Sequence, residues 1–129
     1  MLTFTNFAAI AGGASLGAWS RWLLGLALNP LFPRLPLGTL AANLIGGYLI
    51  GCAVAIFHVH TDLDPAIKLL VITGFLGGLT TFSTYSAEVL ERLLAGQIGW
   101  ALLLASTHLL GSLLATYLGM LTVRQWLLA

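Results

Sequence analysis

A run of hydroxyl side chains stands in the middle of an apolar stretch of this 129-residue chain. The apolar stretch covers residues 66–94, and the run lies within residues 74–88, GFLGGLTTFSTYSAE. Lipid offers polar groups no partners, so such a run is tolerated at membrane depth only where it faces protein or a water-filled path. The run is therefore the candidate functional element, and the chemistry that it offers is hydrogen-bond donation. Phe82 interrupts its hydroxyl residues, which are Thr80, Thr81, Ser83, Thr84, Tyr85 and Ser86.

Asn43 is a second polar group placed inside an apolar segment. A buried amide needs partners, and two interpretations stand equal on physics alone. Its NH2 group is either a donor that faces an anion or one half of an interhelical hydrogen bond. Thr39, four residues earlier, shares the same helix face.

Phe82 and Tyr85 are three residues apart and share a face if the chain between them is helical. The edges of aromatic rings carry partial positive charge, so two edges turned into a narrow path would stabilise a small anion without trapping it. The alternative for aromatic residues at helical spacing is ordinary core packing. Core packing is the more common role, and the hydroxyl-rich surroundings weaken that alternative here.

The last apolar segment carries its own polar stripe at helical spacing, formed by His108, Ser112 and Thr116. Ser112 adds a hydroxyl donor to those of Ser83 and Thr84, although serine and threonine also bond carbonyls of their own helix. A stripe on two helices favours a shared polar path.

Two charged residues border the polar stretch and the first segment. Glu88 lies four residues past Thr84 and either orients hydroxyls or water at the end of the path or marks the membrane interface. Arg21 ends a long apolar run and either snorkels to the interface or pairs and draws anions toward a vestibule.

The composition is that of an integral membrane protein. Apolar residues make up 59% of the chain and charged residues 7%, against about a quarter charged in soluble domains. A net charge of +1 gives no sign of a nucleic-acid surface. A single domain covering residues 1–129 is expected, because nearly all of the chain is needed to span the membrane.

Four segments reach the roughly 20 apolar residues that a spanning helix needs. They cover about residues 4–28, 37–58, 66–94 and 98–123, separated by proline-rich, polar or glycine-flanked loops. Glycines four apart in three of them predict close helix packing in a bundle. The adjacent Gly77 and Gly78, followed by the threonine run, predict a break in the third helix near residues 77–80.

The positive charges give no usable orientation signal. Four crossings place Lys68 and Arg124 on one side, and Arg34 and Arg92, with Arg21 close by, on the other. Because orientation follows Lys and Arg asymmetry, the simplest interpretation is insertion in both directions. Two copies then pair antiparallel into a homodimer. The alternative is one orientation set by the first helix or by another partner.

The motif GGLTTFST, together with Asn43 in GTLAANLIGG, resembles the CrcB/Fluc family of small fluoride channels over nearly the whole chain. The resemblance implies a passive, fluoride-selective channel in the inner (plasma) membrane, built as a dual-topology dimer with two pores. It implies a structural sodium ion at the dimer centre, held by backbone carbonyls of Gly77 and Thr80. It also implies that Asn43 and Phe82 line the pore.

The sequence departs from the family pattern at Tyr85, where the family has a second pore phenylalanine. The tyrosine keeps the aromatic edge and adds a hydroxyl, so we expect it to line the path with an altered rate or selectivity. The expected fluoride pathway comprises Asn43, Phe82, Tyr85, Ser83, Thr84, Ser112, Thr39, Glu88 and Arg21.

Two other functions are weaker. A four-helix proton-coupled drug exporter needs a carboxylate in its first helix, and residues 4–28 contain no Asp or Glu. A membrane assembly subunit predicts no polar path. Nothing in the sequence indicates an enzyme, because it offers neither a nucleophile with a histidine base nor a cofactor loop.

Overall fold

The structure, a computed structural model, describes residues 2–128 and is helical throughout its ordered elements. Helix α1 covers Phe4–Leu28 and α2 covers Leu37–Val59. Helix α3 runs over residues 65–79, α4 over Phe82–Leu94, and α5 over Ile98–Leu128. A short 3-10 turn, Asn29–Leu31, follows α1. The predicted helical segments are confirmed, with the last helix extending five residues beyond the expected end at 123.

Three of the helical spans are long and apolar enough to cross a membrane, namely Leu37–Val59, Pro65–Leu94 and Ile98–Leu127. Of the four spans predicted from the sequence, these three are thus supported directly by the structure. Helix α1 is 25 residues long, and Arg21, its serines and its glycines make it less apolar. Its crossing stays a prediction from the sequence.

The third span is broken, as predicted, but the break lies later than the glycines. Gly77 and Gly78 are helical, and the chain becomes extended at Thr80 and Thr81, with ψ angles of 155° and 118°. Helix α3 begins as Pro65–Lys68, continues as a wide π-helix over Leu69–Leu76 and ends with Gly77–Leu79. Gly78 packs against α1, while the two threonines form the linker between α3 and α4.

Close glycine contacts hold α1 against α3. A Cβ on Gly13 would overlap the carbonyl oxygen of Leu70, and one on Gly78 would overlap that of Ala14. In lipid, where apolar burial gives helices no advantage, such backbone approach is a main source of association. The predicted role of the glycine pairs in packing is confirmed.

Helix α2 packs along α5 by the same means. Cβ atoms on Gly51 and Gly119 would overlap the carbonyl oxygens of Thr116 and Tyr48, respectively. Cys52 lies at this contact, its Sγ 3.5 Å from the carbonyl oxygen of Gly119. The fold thus contains two close helix pairs, α1 with α3 and α2 with α5, and α3 is the first half of the broken span.

Candidate functional site

Asn43 on α2 holds the break in the third span. Its Oδ1 accepts a hydrogen bond from the backbone N–H of Thr81 at 2.7 Å, and its Nδ2 donates to the carbonyl oxygen of Thr81 at 3.0 Å. This pairing replaces the helical bonds that an extended residue cannot make, which a buried backbone group requires. The interhelical interpretation of Asn43 thus describes its contacts.

His108 on α5 takes the second hydrogen of the same amide. Nδ2 of Asn43 lies 2.9 Å from Nδ1 of His108. The pairing with Thr81 fixes which amide atom is nitrogen, so Nδ1 of His108 accepts and the hydrogen of the neutral ring resides on Nε2. His108 is 3% exposed, and among the described residues Nε2 has no hydrogen-bond partner.

Tyr85 and Phe82 extend this arrangement along α4. The rings of Tyr85 and His108 stack with centroids 4.7 Å apart, and Phe82 meets Tyr85 edge-on at 5.4 Å. The two aromatic residues therefore share a face, as their spacing predicts. Phe82 remains 80% exposed in the single chain, so most of its ring surface has no contact within that chain.

These side chains line a groove of about 460 Å³ bounded by α2, α3, α4 and α5. Four of the predicted pathway residues line it, Asn43, Phe82, Tyr85 and Ser112, and so do Gly77 and Thr80. Its remaining polar wall comes from Thr81, His108 and Thr116, and the rest is apolar, including Ile50 and Leu76. The groove offers a few donors on an apolar surface.

The other predicted pathway residues lie outside this groove. Thr39 is buried and its hydroxyl donates to Oε1 of Glu88 at 2.6 Å. Oε2 of Glu88 has no hydrogen-bond partner among the described residues. Ser83 lies 3.3 Å, hydroxyl to hydroxyl, from Thr81, whose Oγ1 also accepts from the backbone N–H of Thr84.

Arg21 pairs with the backbone at the end of α3. Its Nε donates to the carbonyl oxygen of Gly78 at 3.0 Å, which ties α1 to the end of α3. Fifty-seven positions separate the two residues in the chain, and no local pattern indicates their contact. The side chain of Arg92 is only 21% exposed and donates to Oε1 of Gln97 at 3.0 Å.

Gly77 and Thr80, the residues expected to hold sodium, lie at the break in the third span. In a continuous helix the N–H of Thr81 would bond the carbonyl of Gly77, but it donates to Asn43 instead. The Gly77 oxygen therefore lacks its usual helical partner, and a Cβ added to Gly77 would meet only the carbonyl oxygen of Ile72, at 3.7 Å. Thr80 lies in the extended linker. Free carbonyls at the end of a broken membrane helix are ligands that sodium takes.

Known proteins resemble this chain over nearly its full length. The model of the family described as CrcB-like protein, Camphor Resistance (CrcB), matches residues 8–120. A fluoride-specific ion channel FluC from Dechloromonas aromatica is 70% identical over 122 residues, covering 95% of this chain and 90% of the relative. Proteins of the same name from Nitrosospira multiformis and Burkholderia cenocepacia are each 60% identical, covering 92% and 98% of both chains, respectively.

Proposed function

The chain belongs to the CrcB family of multi-pass membrane proteins, which are channels and not enzymes, and from this premise we propose that it conducts fluoride selectively and passively out of the cell. The observation that carries the proposal is the groove beside the helix break, whose polar wall is made of donors and aromatic edges. The relatives that bear the name of a fluoride channel support the choice of ion.

Fluoride is small, strongly hydrated and a strong hydrogen-bond acceptor, so a path for it must replace water with closely placed donors. In this chain Ser112, His108 and Thr116 line one wall of the groove. Phe82 and Tyr85 supply ring edges on the facing helix. Because these donors carry no full positive charge, they attract the anion without holding it.

Asn43 takes a specific part in this proposal. Both of its amide hydrogens are engaged, one with Thr81 and one with His108. Its contribution is to keep the linker extended and to fix the position of His108 beside the groove. Thr39 and Glu88 form a hydrogen-bonded pair that continues the polar surface from α2 to α4.

The working unit in our proposal is an antiparallel homodimer with two pores. Phe82 is 80% exposed and Ser83 is also exposed, although both lie within the span Pro65–Leu94. The Ser83 hydroxyl contacts only that of Thr81 among the described residues, so its remaining hydrogen-bonding capacity would face lipid. A second copy laid over this face would cover both residues and close the groove. The weak charge bias of the loops permits opposite insertion of the two copies.

A sodium ion bound by the carbonyls of Gly77 and Thr80 completes the proposal. The ion would fix the ends of the two broken helices against each other at the dimer centre. Its part is structural, since it neutralises carbonyl groups that the break leaves without helical partners.

The test is efflux from proteoliposomes loaded with fluoride or with chloride, followed with ion-selective electrodes. We expect rapid fluoride loss, little chloride loss, and slow fluoride loss for Phe82→Ile, which removes the exposed ring. Phe32→Ile, a change of the same size in the loop after α1, serves as the matched control and should conduct like the wild type. Equal fluoride and chloride rates, or no fluoride flux from a cross-linkable dimer, would overturn the proposal.

A further inference from the structure

We propose that Arg21 is a positioning residue for the sodium site, and this inference rests on the sodium part of the proposed function. Arg21 belongs to the face of α1 that contacts α3, four residues after Gly17, whose absent Cβ leaves room for the backbone of Phe75 and Leu79. This close approach brings the guanidinium to the last turn of α3, where Nε donates to the carbonyl oxygen of Gly78 at 3.0 Å.

The two adjacent glycines of α3 have different neighbours. Gly78 packs against α1, because a Cβ there would overlap the carbonyl oxygen of Ala14 and lie 3.0 Å from the nitrogen of Ala18. Gly77 lines the groove and has open space around its Cα. Only the Gly78 carbonyl is engaged by Arg21, so the arginine occupies the carbonyl on the α1 side and leaves that of Gly77 for a cation.

The position of the end of a half-helix depends on the hydrogen bonds that its last peptide groups make. The C-terminal end of α3 carries partial negative charge, and a charge-assisted bond from a guanidinium is among the stronger bonds available to a carbonyl. Asn43 fixes the next segment of chain at Thr81. Arg21 and Asn43 thus anchor the backbone on either side of Thr80, which sets the spacing of the Gly77 and Thr80 carbonyls.

Removing Arg21 has two opposing consequences for sodium. Loss of a nearby positive charge would favour a cation, whereas loss of the anchor would let the Gly78 peptide turn and spread the carbonyl ligands. We infer that the anchor dominates, because the guanidinium is already neutralised in part by the helix end to which it donates. Sodium should therefore bind more weakly, not more tightly, when Arg21 is replaced.

The experiment is thermal unfolding of the purified dimer over a series of sodium concentrations, with N-methylglucamine keeping the ionic strength constant. A ligand that binds only the folded state raises the melting temperature as its concentration passes the dissociation constant, so the curve gives the half-effective sodium concentration without any flux measurement. We expect Arg21→Gln to raise that concentration about tenfold or more, and Arg21→Lys, which keeps the charge but lacks the fixed fork geometry, to raise it less. Arg124→Gln, at an exposed arginine on α5, should match the wild type.

The dependence of the melting temperature on sodium concentration distinguishes a positioning role of Arg21 from a purely structural one. A structural role lowers the melting temperature equally at every sodium concentration, whereas the proposed role shifts the midpoint and is recovered at saturating sodium. A wild type that responds to sodium, with an unchanged or lower midpoint in Arg21→Gln, overturns this inference alone. A wild type that ignores sodium while conducting fluoride overturns both the sodium site and this inference but leaves the channel proposal standing.

Discussion

The side chain of Asn43 satisfies both backbone polar groups of Thr81, accepting from its N–H at 2.7 Å and donating to its carbonyl at 3.0 Å. An extended residue between two membrane helices has no helical partners, and each unpaired group would cost several kcal/mol in a lipid environment. The single amide of Asn43 thus replaces the backbone partners that the break removes from Thr81. The same nitrogen reaches His108, which joins the break to the last helix.

Asn43→Asp tests this clamp with almost no change of shape. The carboxylate accepts from the Thr81 N–H, but it cannot donate to the Thr81 carbonyl or to His108. An unpaired buried group costs about 1–3 kcal/mol, so we expect a lower melting temperature and a fluoride efflux rate at least about tenfold lower. Gln125→Glu, the corresponding change at an exposed position on α5, should alter neither quantity. Wild-type stability and flux in Asn43→Asp would contradict the clamp.

Tyr85→Phe separates the ring of Tyr85 from its hydroxyl. The ring stacks on His108 and meets Phe82 edge-on, and both contacts survive in phenylalanine. We therefore expect the melting temperature to stay within a degree or two and fluoride efflux to equal or exceed that of the wild type. Tyr85→Leu removes both ring contacts, each worth about 0.5–1.5 kcal/mol beyond burial, and should slow efflux. If Tyr85→Phe loses flux while Tyr85→Leu keeps it, the hydroxyl and not the ring serves the path.

The sequence was informative about helices because the physics that forms them is local. Apolar runs of spanning length predicted every segment, and the proline-rich and polar loops placed their ends within a few residues. Only the last helix runs clearly longer, to Leu128, because residues 124–128 include no glycine or proline to stop it. The charged and polar residues there favoured an end to the membrane span but did not require an end to the helix.

The break and the site depend on contacts that no local pattern contains. Gly77 and Gly78 suggested a break because glycine weakens helices, yet both are helical and only Gly78 packs against α1. The extended residues are Thr80 and Thr81, where Asn43 pairs with the backbone. The bonds between Asn43 and His108 and between Arg21 and Gly78 join residues 65 and 57 positions apart. The sequence signal for His108 was its spacing of four from Ser112, which predicted a shared face but not a partner.

Two adjacent glycines on α1 give a matched test of helix packing. A Cβ on Gly13 would overlap the carbonyl oxygen of Leu70 and lie 2.8 Å from the nitrogen of Phe75, whereas one on Gly12 meets nothing within 4 Å. Gly13→Ala must push α1 away from α3, so we expect a loss of about 1–3 kcal/mol, as for other overpacked sites. Gly12→Ala should be neutral or stabilising by up to about 1 kcal/mol, since alanine favours a helix. Equal melting temperatures for the two variants would contradict the packing described here.

The hydrogen bond from Thr39 to Glu88 links α2 to α4. Thr39→Val removes this bond while keeping the shape of the side chain. Oε2 of Glu88 already lacks a hydrogen-bond partner among the described residues, so losing the Oε1 bond would leave the carboxyl group with neither oxygen bonded. We expect a lower melting temperature, by the equivalent of about 1–3 kcal/mol, and slower fluoride efflux. Thr107→Val is the matched control, because that hydroxyl bonds carbonyls of its own helix.

A double-mutant cycle decides whether Thr39 acts through Glu88. With Glu88→Gln in the background, the residue at position 88 no longer carries a charge that needs Thr39, so Thr39→Val should cost clearly less in melting temperature and in efflux rate than it does in the wild type. Fully additive effects would mean that the two residues act separately, and the polar surface proposed to continue from α2 to α4 would then have to end at the helix break.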